Sequence, residues 1–304
     1  MIFRRDYQKA RKSNMIYRQD FHELNAADVQ AKQGSDTVVG SATYDRTPRA
    51  GLLLSSFAGG QDHFGNAVEG LAEPRPVDAA LTTAQRDALL AKAAEFCMAR
   101  RQRVRRIVEE DEWALVQVAA GTDPLLLESV LRYMTENQWG GRISVSCACA
   151  GLAALGKLHP KVRFEEVDLA AQQRIEIPAP RNGRLHRIPK VLSDCDRVIA
   201  VAPLRRGSPL SVGSFASLES KPDDAATVDL FSYHPPEFIV IGTANVVLVA
   251  MNAVWADTVA CAVLGIPQPP LLTLADKRSL GDSDPSVIWV RGNEPEEAQK
   301  ALGY

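Results

Sequence analysis

The sequence predicts an α/β protein, a mostly parallel sheet with helices on both faces, preceded by a polar N-terminal extension. Three observations predict it. From about residue 113 onward, short β-branched runs alternate with stretches in which apolar residues recur every three or four positions. The junctions carry helix-start and helix-stop chemistry, such as Thr122-Asp123-Pro124 and Asn252 before helices and Gly265 with Pro267 after one. The most apolar strands, FIVIG at 238–242 and VVLVA at 246–250, are uninterrupted runs that fit buried positions in a sheet.

Residues 1–48 are polar, weakly periodic and of mixed charge, and they read as an arm or extension. Its expected place is on a protein partner or on a second copy of the chain. Residues 49–304 are expected to form one domain. An apolar strand starts at Arg49 and runs to the pair Gly59-Gly60, and 61–76 is a loop punctuated by glycine and proline. Thr82 or Thr83 caps a long helix over about 84–110, with Leu89, Leu90, Ala93, Phe96 and Cys97 on one face. Acidic residues at its far end oppose the macrodipole, so the helix is expected to stop near Val108.

Strand 113–119 comes next, then a helix capped by Asp123 with Pro124 at its first position. Strand 142–147, a short helix near 150–157, strand 162–169, a helical turn at 187–194 and strand 197–202 follow. Residues 205–227 read as a surface loop over the sheet edge. Strand, tight bend, strand and helix then occupy 238–264. Asn252 accepts from free N–H groups at the start of that helix, and Gly265 supplies a left-handed stop. A helix at 271–280, a strand at 286–290 and a short polar helix complete the chain.

Composition bounds the function classes. With 304 residues, 46% apolar and 24% charged, the chain can bury a substantial core. A net charge of −2 argues against partnership with nucleic acid or an anionic membrane. The basic run 100–106 lacks interleaved aromatics and reads as a solvated helix face. The uncharged stretch 238–256 is long enough for a membrane span but is broken at 242–245 and at Asn252, so two buried strands explain it better. Five cysteines, set mostly in apolar runs, read as reduced thiols of a cytoplasmic protein. Arg4-Arg5 has no apolar stretch after it, so no export signal is complete.

The stretch VLVAMNAVWADTVACAVLGIP is similar to the signature near the C-terminal end of the DUF362 family, a domain of unknown function. There an apolar strand leads through two aspartates into a short helix ending Leu-Gly. Asp257, Val259, Ala260, Leu264 and Gly265 fall on matching positions, and Asn252 stands where the family has its first aspartate. Thr122 and Pro124, and residues 196–203 (DRVIAVAP), match two further segments, so the resemblance covers roughly 114–304. The family's Lys-x-His, its Lys-Pro-Asn-Leu segment and its acidic glycine turn are absent, which points to a divergent or reduced member. The resemblance implies a fold more than a chemistry.

No GxGxxG, GxxxxGK[ST], GxSxG, HExxH or CxxC motif is present. The leading expectation is a small-molecule ligand-binding protein or enzyme, the ligand anionic in one version, with its site at the strand C-termini. Asp257, a lone carboxylate in an apolar helix, is the candidate catalytic residue. Thr122 and Asp123 at a helix start, the pair Arg205-Arg206 after a strand, and Asn252 are the candidate ligand-binding residues. No cofactor is implied. A non-catalytic subunit or interaction protein is the alternative, and a soft-metal or redox protein using Cys147 and Cys149 is the third. His186 and His234 are isolated and read as packed or surface residues.

Overall fold

A computed structural model of the chain describes residues 49–55, 59–61, 67–69, 81–97, 112–136, 141–147, 149, 151–178, 185–218 and 223–304. The arm at 1–48, the basic run 100–106 and most of the loop at 61–76 lie outside these residues. The strands are β1 (Arg49–Leu54), β2 (Gly59–Gln61), β3 (Ala67–Glu69), β4 (Trp113–Val118), β5 (Arg142–Val145), β6 (Arg163–Glu166), β7 (Arg174–Pro178), β8 (Leu185–Pro189), β9 (Arg197–Pro203), β10 (Phe238–Gly242), β11 (Val246–Ala250) and β12 (Trp289–Gly292). The described helices are α1 (Thr83–Cys97), α2 (Pro124–Glu136), α3 (Leu152–Leu158), α4 (Lys190–Asp194), α5 (Asp224–Tyr233), α6 (Ala253–Leu264), α7 (Pro270–Lys277) and α8 (Pro295–Ala301).

Eight strands form one sheet in the order β12-β1-β11-β10-β9-β4-β5-β6. β11 pairs antiparallel with both neighbours, and every other adjacent pair is parallel. The exception has a local cause. Only three residues join β10 to β11, too few for a crossover, so the chain must fold straight back. Thr243 fixes the bend by accepting at Oγ1 from the N–H groups of Asn245 and Val246.

Alternation sends successive side chains of each strand to opposite faces. Leu53, Val116, Val201, Val247 and Val249 join the buried cluster under α1, α2 and α3. Leu52, Leu54, Leu115, Val198, Val246 and Leu248 join the cluster under α4 to α8. Helices therefore cover both faces, as the sequence predicts. Each fully buried Leu or Val contributes about 1.5–3 kcal/mol, so the two clusters carry most of the fold. Close approach matters at Gly51, where a Cβ would lie 1.9 Å from the Ala93 carbonyl oxygen of α1.

Local sequence chemistry accounts for the ends. Thr82 and Gln85 form a reciprocal capping box at α1. Asn252 Oδ1 accepts from the Val254 and Trp255 N–H groups, and Gly265 closes α6 at φ 60°.

Three expectations are corrected. Residues 205–227 are not a surface loop. Leu210, Val212, Phe215 and Leu218 are buried, and Asp223 caps α5 from residue 224. Interspersed Ser, Gly and Pro residues hide the apolar spacing there. The turn at 187–194 begins as β8, which pairs antiparallel with β7, and becomes helical only at Lys190. The strand expected at 286–290 is a 3-10 turn at 285–287 followed by β12, because Asp284 accepts from the Ser286 N–H and starts a turn.

Candidate functional site

β4 and β9 are neighbours whose chains leave in opposite directions. After β4, α2 crosses one face to reach β5; after β9, α5 crosses the other face to reach β10. The C-terminal ends of β4 and β9 thus form the topological switch point, where open α/β sheets leave a crevice for ligands. Loops 119–123 and 204–212 flank it. A Cβ at Gly121, whose φ is 84°, would sit 3.9 Å from Pro203 Cγ and 4.0 Å from Ser208 Oγ. The first loop is tied to β9, since the Ala119 N–H donates to the Val201 carbonyl at 2.8 Å.

The two loops contain four of the six residues singled out in the sequence. Thr122 donates through its hydroxyl to the Ala119 carbonyl at 2.7 Å, which closes the turn. Asp123 caps α2 by accepting from the Leu125 N–H at 2.9 Å, and its other oxygen pairs with Arg86 at 3.3 Å. That carboxylate occupies the helix end which an anionic ligand would need. Arg205 is exposed at the rim. Arg206 turns away to donate from Nε to the Leu264 carbonyl at 2.7 Å, with its guanidinium over Tyr304. Asn252, at the opposite end of α6, is engaged as its cap and also donates to the Leu280 carbonyl.

Asp257 is 1% exposed and does not meet Thr122 or Arg205. Its Oδ1 accepts from the N–H of Ser211 at 2.9 Å and from the Ser211 hydroxyl. Its Oδ2 accepts from the Val212 N–H at 2.8 Å. The carboxylate therefore fastens the loop after β9 onto α6. Burial pushes it up to about 7, while the Ser211 and Val212 donors pull it back down. Cys261, one helical turn on, is pushed up to about 12 by burial and then by the Asp257 charge.

From Asp257 a buried polar chain runs back under the switch point. Ser211 O accepts from the Ser214 hydroxyl at 2.7 Å, and Ser214 Oγ accepts from Gln117 Nε2 at 3.2 Å. Gln117 lies near the end of β4 and is 3% exposed, yet its Oε1 has no hydrogen-bond partner among the described residues. Sequence reading missed it. The signal was a lone carboxamide in the run WALVQV. His186 is packed, one of the two places expected of it, and its partner is far away in sequence: Asp229 of α5 accepts from Arg278 and lies 3.4 Å from His186 Nε2. These groups tie β8, α5 and α7 together beneath the second face.

Cys147 and Cys149 do not build a metal site. Cys149 donates its N–H to Glu166 at 3.1 Å, and burial raises the thiols of both Cys147 and Cys149. Among the described residues no group of three or more His, Cys, Asp or Glu is placed to hold a metal ion. Nor is any helix among them long and apolar enough to cross a membrane. Two concavities, of about 480 and 210 Å³, open beside β6, away from the switch point. Their acids are already paired, Glu165 with Arg142 at 2.7 Å and Glu166 with the Cys149 N–H, so the buried Gln117 Oε1, without a partner among the described residues, marks the switch point as the better candidate. No family model matches the chain, and no curated protein matches it.

Proposed function

We propose that this protein binds a small molecule, as a ligand-binding protein or an enzyme, in the crevice between loops 119–123 and 204–212. The observation that carries this reading is Gln117, a buried carboxamide below the switch point whose oxygen accepts from no group among the described residues. Leaving a buried acceptor unpaired costs about 1–3 kcal/mol, which a donor on a ligand would offset. Thr122 and Ser208 line the crevice, Arg205 stands at its rim, and Asp257 holds its floor as a positioning residue. The resemblance of 246–265 to the DUF362 signature supports placing the chain as a divergent or reduced member of that family, and the free cysteines, four of the five buried, support a cytoplasmic location.

The test is native mass spectrometry of freshly purified wild-type protein beside Gln117→Met. The expected result is a co-purifying mass on the wild type that the folded variant lacks. A bare chain in both would sink the reading. It would favour the second one, an interaction protein that keeps the fold and engages a partner or a second copy through 1–48. One observation supports that alternative: Asn252, Arg206, Asp123 and Asp257 are all engaged in holding elements together.

A further inference from the structure

We propose that a second copy of this chain docks on the outer edge of β6, strand against antiparallel strand, about a two-fold axis at Phe164. The inference does not rest on the switch-point reading. β6 ends the eight-stranded sheet, and among the described residues only β5 pairs with it. Arg163 and Val167 donate their N–H groups across that ladder, to the Gly141 and Val145 carbonyls at 3.0 and 2.8 Å. Alternate residues of a parallel ladder face the neighbouring strand. The N–H and C=O groups of Phe164 and Glu166 therefore point away from β5, and such a row is a template for another strand.

Both faces beside this edge are hollow. On the α3 side, Phe164 borders the concavity of about 480 Å³ together with Leu152, Ala153 and Gly156. The helix comes close there, since a Cβ at Gly156 would lie 3.9 Å from Phe164 Cδ2. On the opposite face, Glu165 borders the concavity of about 210 Å³. Leu158, at the end of α3, is 70% exposed.

The order of charges along the edge selects the occupant. Short, charged edge strands usually prevent pairing. This one is complementary to itself. Arg163 and Glu165 lie two residues apart, so they share a face and carry opposite signs. Antiparallel pairing centred on Phe164 sets Arg163 of each chain opposite Glu165 of the other. The two Phe164 residues then exchange their N–H···O=C bonds, and their rings meet beside the α3-side concavity. Residues directly opposed in this way bring their Cβ atoms to about 4.5–5.5 Å, where opposite charges and aromatic pairs both stabilise. Glu165 can take the new contact. Its Oε1 accepts from Arg142 and Ser144, while Oε2 has only its own chain's Arg163, at 3.8 Å, among the described residues. Arg163 is 73% exposed along its side chain. A register centred on Glu165 would instead set two carboxylates against each other, so one pairing is favoured over its neighbour. Because the contact is two-fold, it closes on a dimer and does not propagate.

The experiment is sedimentation equilibrium of the full chain over a concentration series, with hydrogen exchange on the same samples. The wild type should be a dimer that dissociates on dilution, and the Phe164 and Glu166 amides should be protected only in the dimer. Arg163→Glu changes an exposed side chain, so its circular dichroism and thermal midpoint should match the wild type. Its dimer should nevertheless be at least about tenfold weaker, because two attractive cross-strand pairs become repulsive. Arg163→Lys keeps the sign and should dimerise like the wild type. A chain that stays monomeric at every concentration overturns the proposal and leaves β6 as a blunted edge. A dimer that Arg163→Glu does not weaken, or whose protection falls outside 162–167, also overturns it, since the copies then meet elsewhere, for example through 1–48.

Discussion

Asp257 and Gln117 sit at opposite ends of one buried chain of hydrogen bonds, and they differ in completeness. Asp257 carries the charge and has the strongly raised pKa, yet both its oxygens are occupied by fixed donors from Ser211 and Val212. Gln117 is neutral and unremarked in its strand, yet its buried Oε1 accepts from no group among the described residues. Ser55 and Asn245 repeat the Gln117 pattern at the neighbouring end of the sheet. Burial and charge alone do not distinguish a structural group from one left open for chemistry. Unfilled hydrogen-bonding capacity is what separates these two residues, since leaving it unfilled has a cost.

The sharpest way to break this contrast is to remove Asp257. Asp257→Ala strands two buried backbone N–H groups, at about 1–3 kcal/mol each, and opens a void, so a loss of about 3–5 kcal/mol in urea unfolding is expected. Asp257→Asn should cost less, about 2 kcal/mol, since one amide atom can still accept while its NH₂ faces a donor. The pH dependence separates the two forms further. The native carboxyl titrates at about 7 and the unfolded one near 3.9, so between those values the native state holds a proton that the unfolded state has released. Stability from this group is therefore complete below about pH 4 and falls as pH rises through 7, by at most about 1.4 kcal/mol per unit. Asp257→Asn should lack that slope, and parallel curves for variant and wild type from pH 4 to 7 would show that Asp257 is not its source.

Gln117→Met tests the other end of the chain. It removes an unpaired oxygen and keeps the volume, and Ser214 still donates to Ser211 O. The unliganded protein should gain up to about 1 kcal/mol, read by urea unfolding. A loss of 2 kcal/mol or more would mean that Gln117 holds the fold as Asp257 does, and the distinction drawn above would fail.

How much of this was legible in the sequence follows the same line. The helix 253–264 with its Asn252 cap and Gly265 stop was readable because those signals are local. So was the parallel alternation of strands and helices. The β7–β8 hairpin and α5 were not, since their short runs RIEIP, LHRIP and DAATVDLFSY carry little local signal and packing against the second face fixes them. Asp257 was legible as a residue with a role, but its role depends on Ser211 and Val212, 46 and 45 positions away. Arg86–Asp123, Ser55–Asn245 and His186–Asp229 are likewise pairings across long sequence separations, which no local pattern encodes.

The adjacent arginines give the smallest and most selective comparison. Arg206 donates to the Leu264 carbonyl, one of the last carbonyls of α6, and lies 4.1 Å from the Tyr304 ring centroid. Both contacts are at the surface, so Arg206→Ala should cost only about 0.5–1 kcal/mol. Arg205 is exposed beside the crevice, and Arg205→Ala should leave stability within about 0.5 kcal/mol of wild type. Any ligand held between the two loops should instead feel Arg205 and ignore Arg206, because Arg206 is committed to Leu264 and Tyr304. If both substitutions weaken a co-purifying ligand equally, its site extends to the C-terminal end of α6, where Arg206 lies.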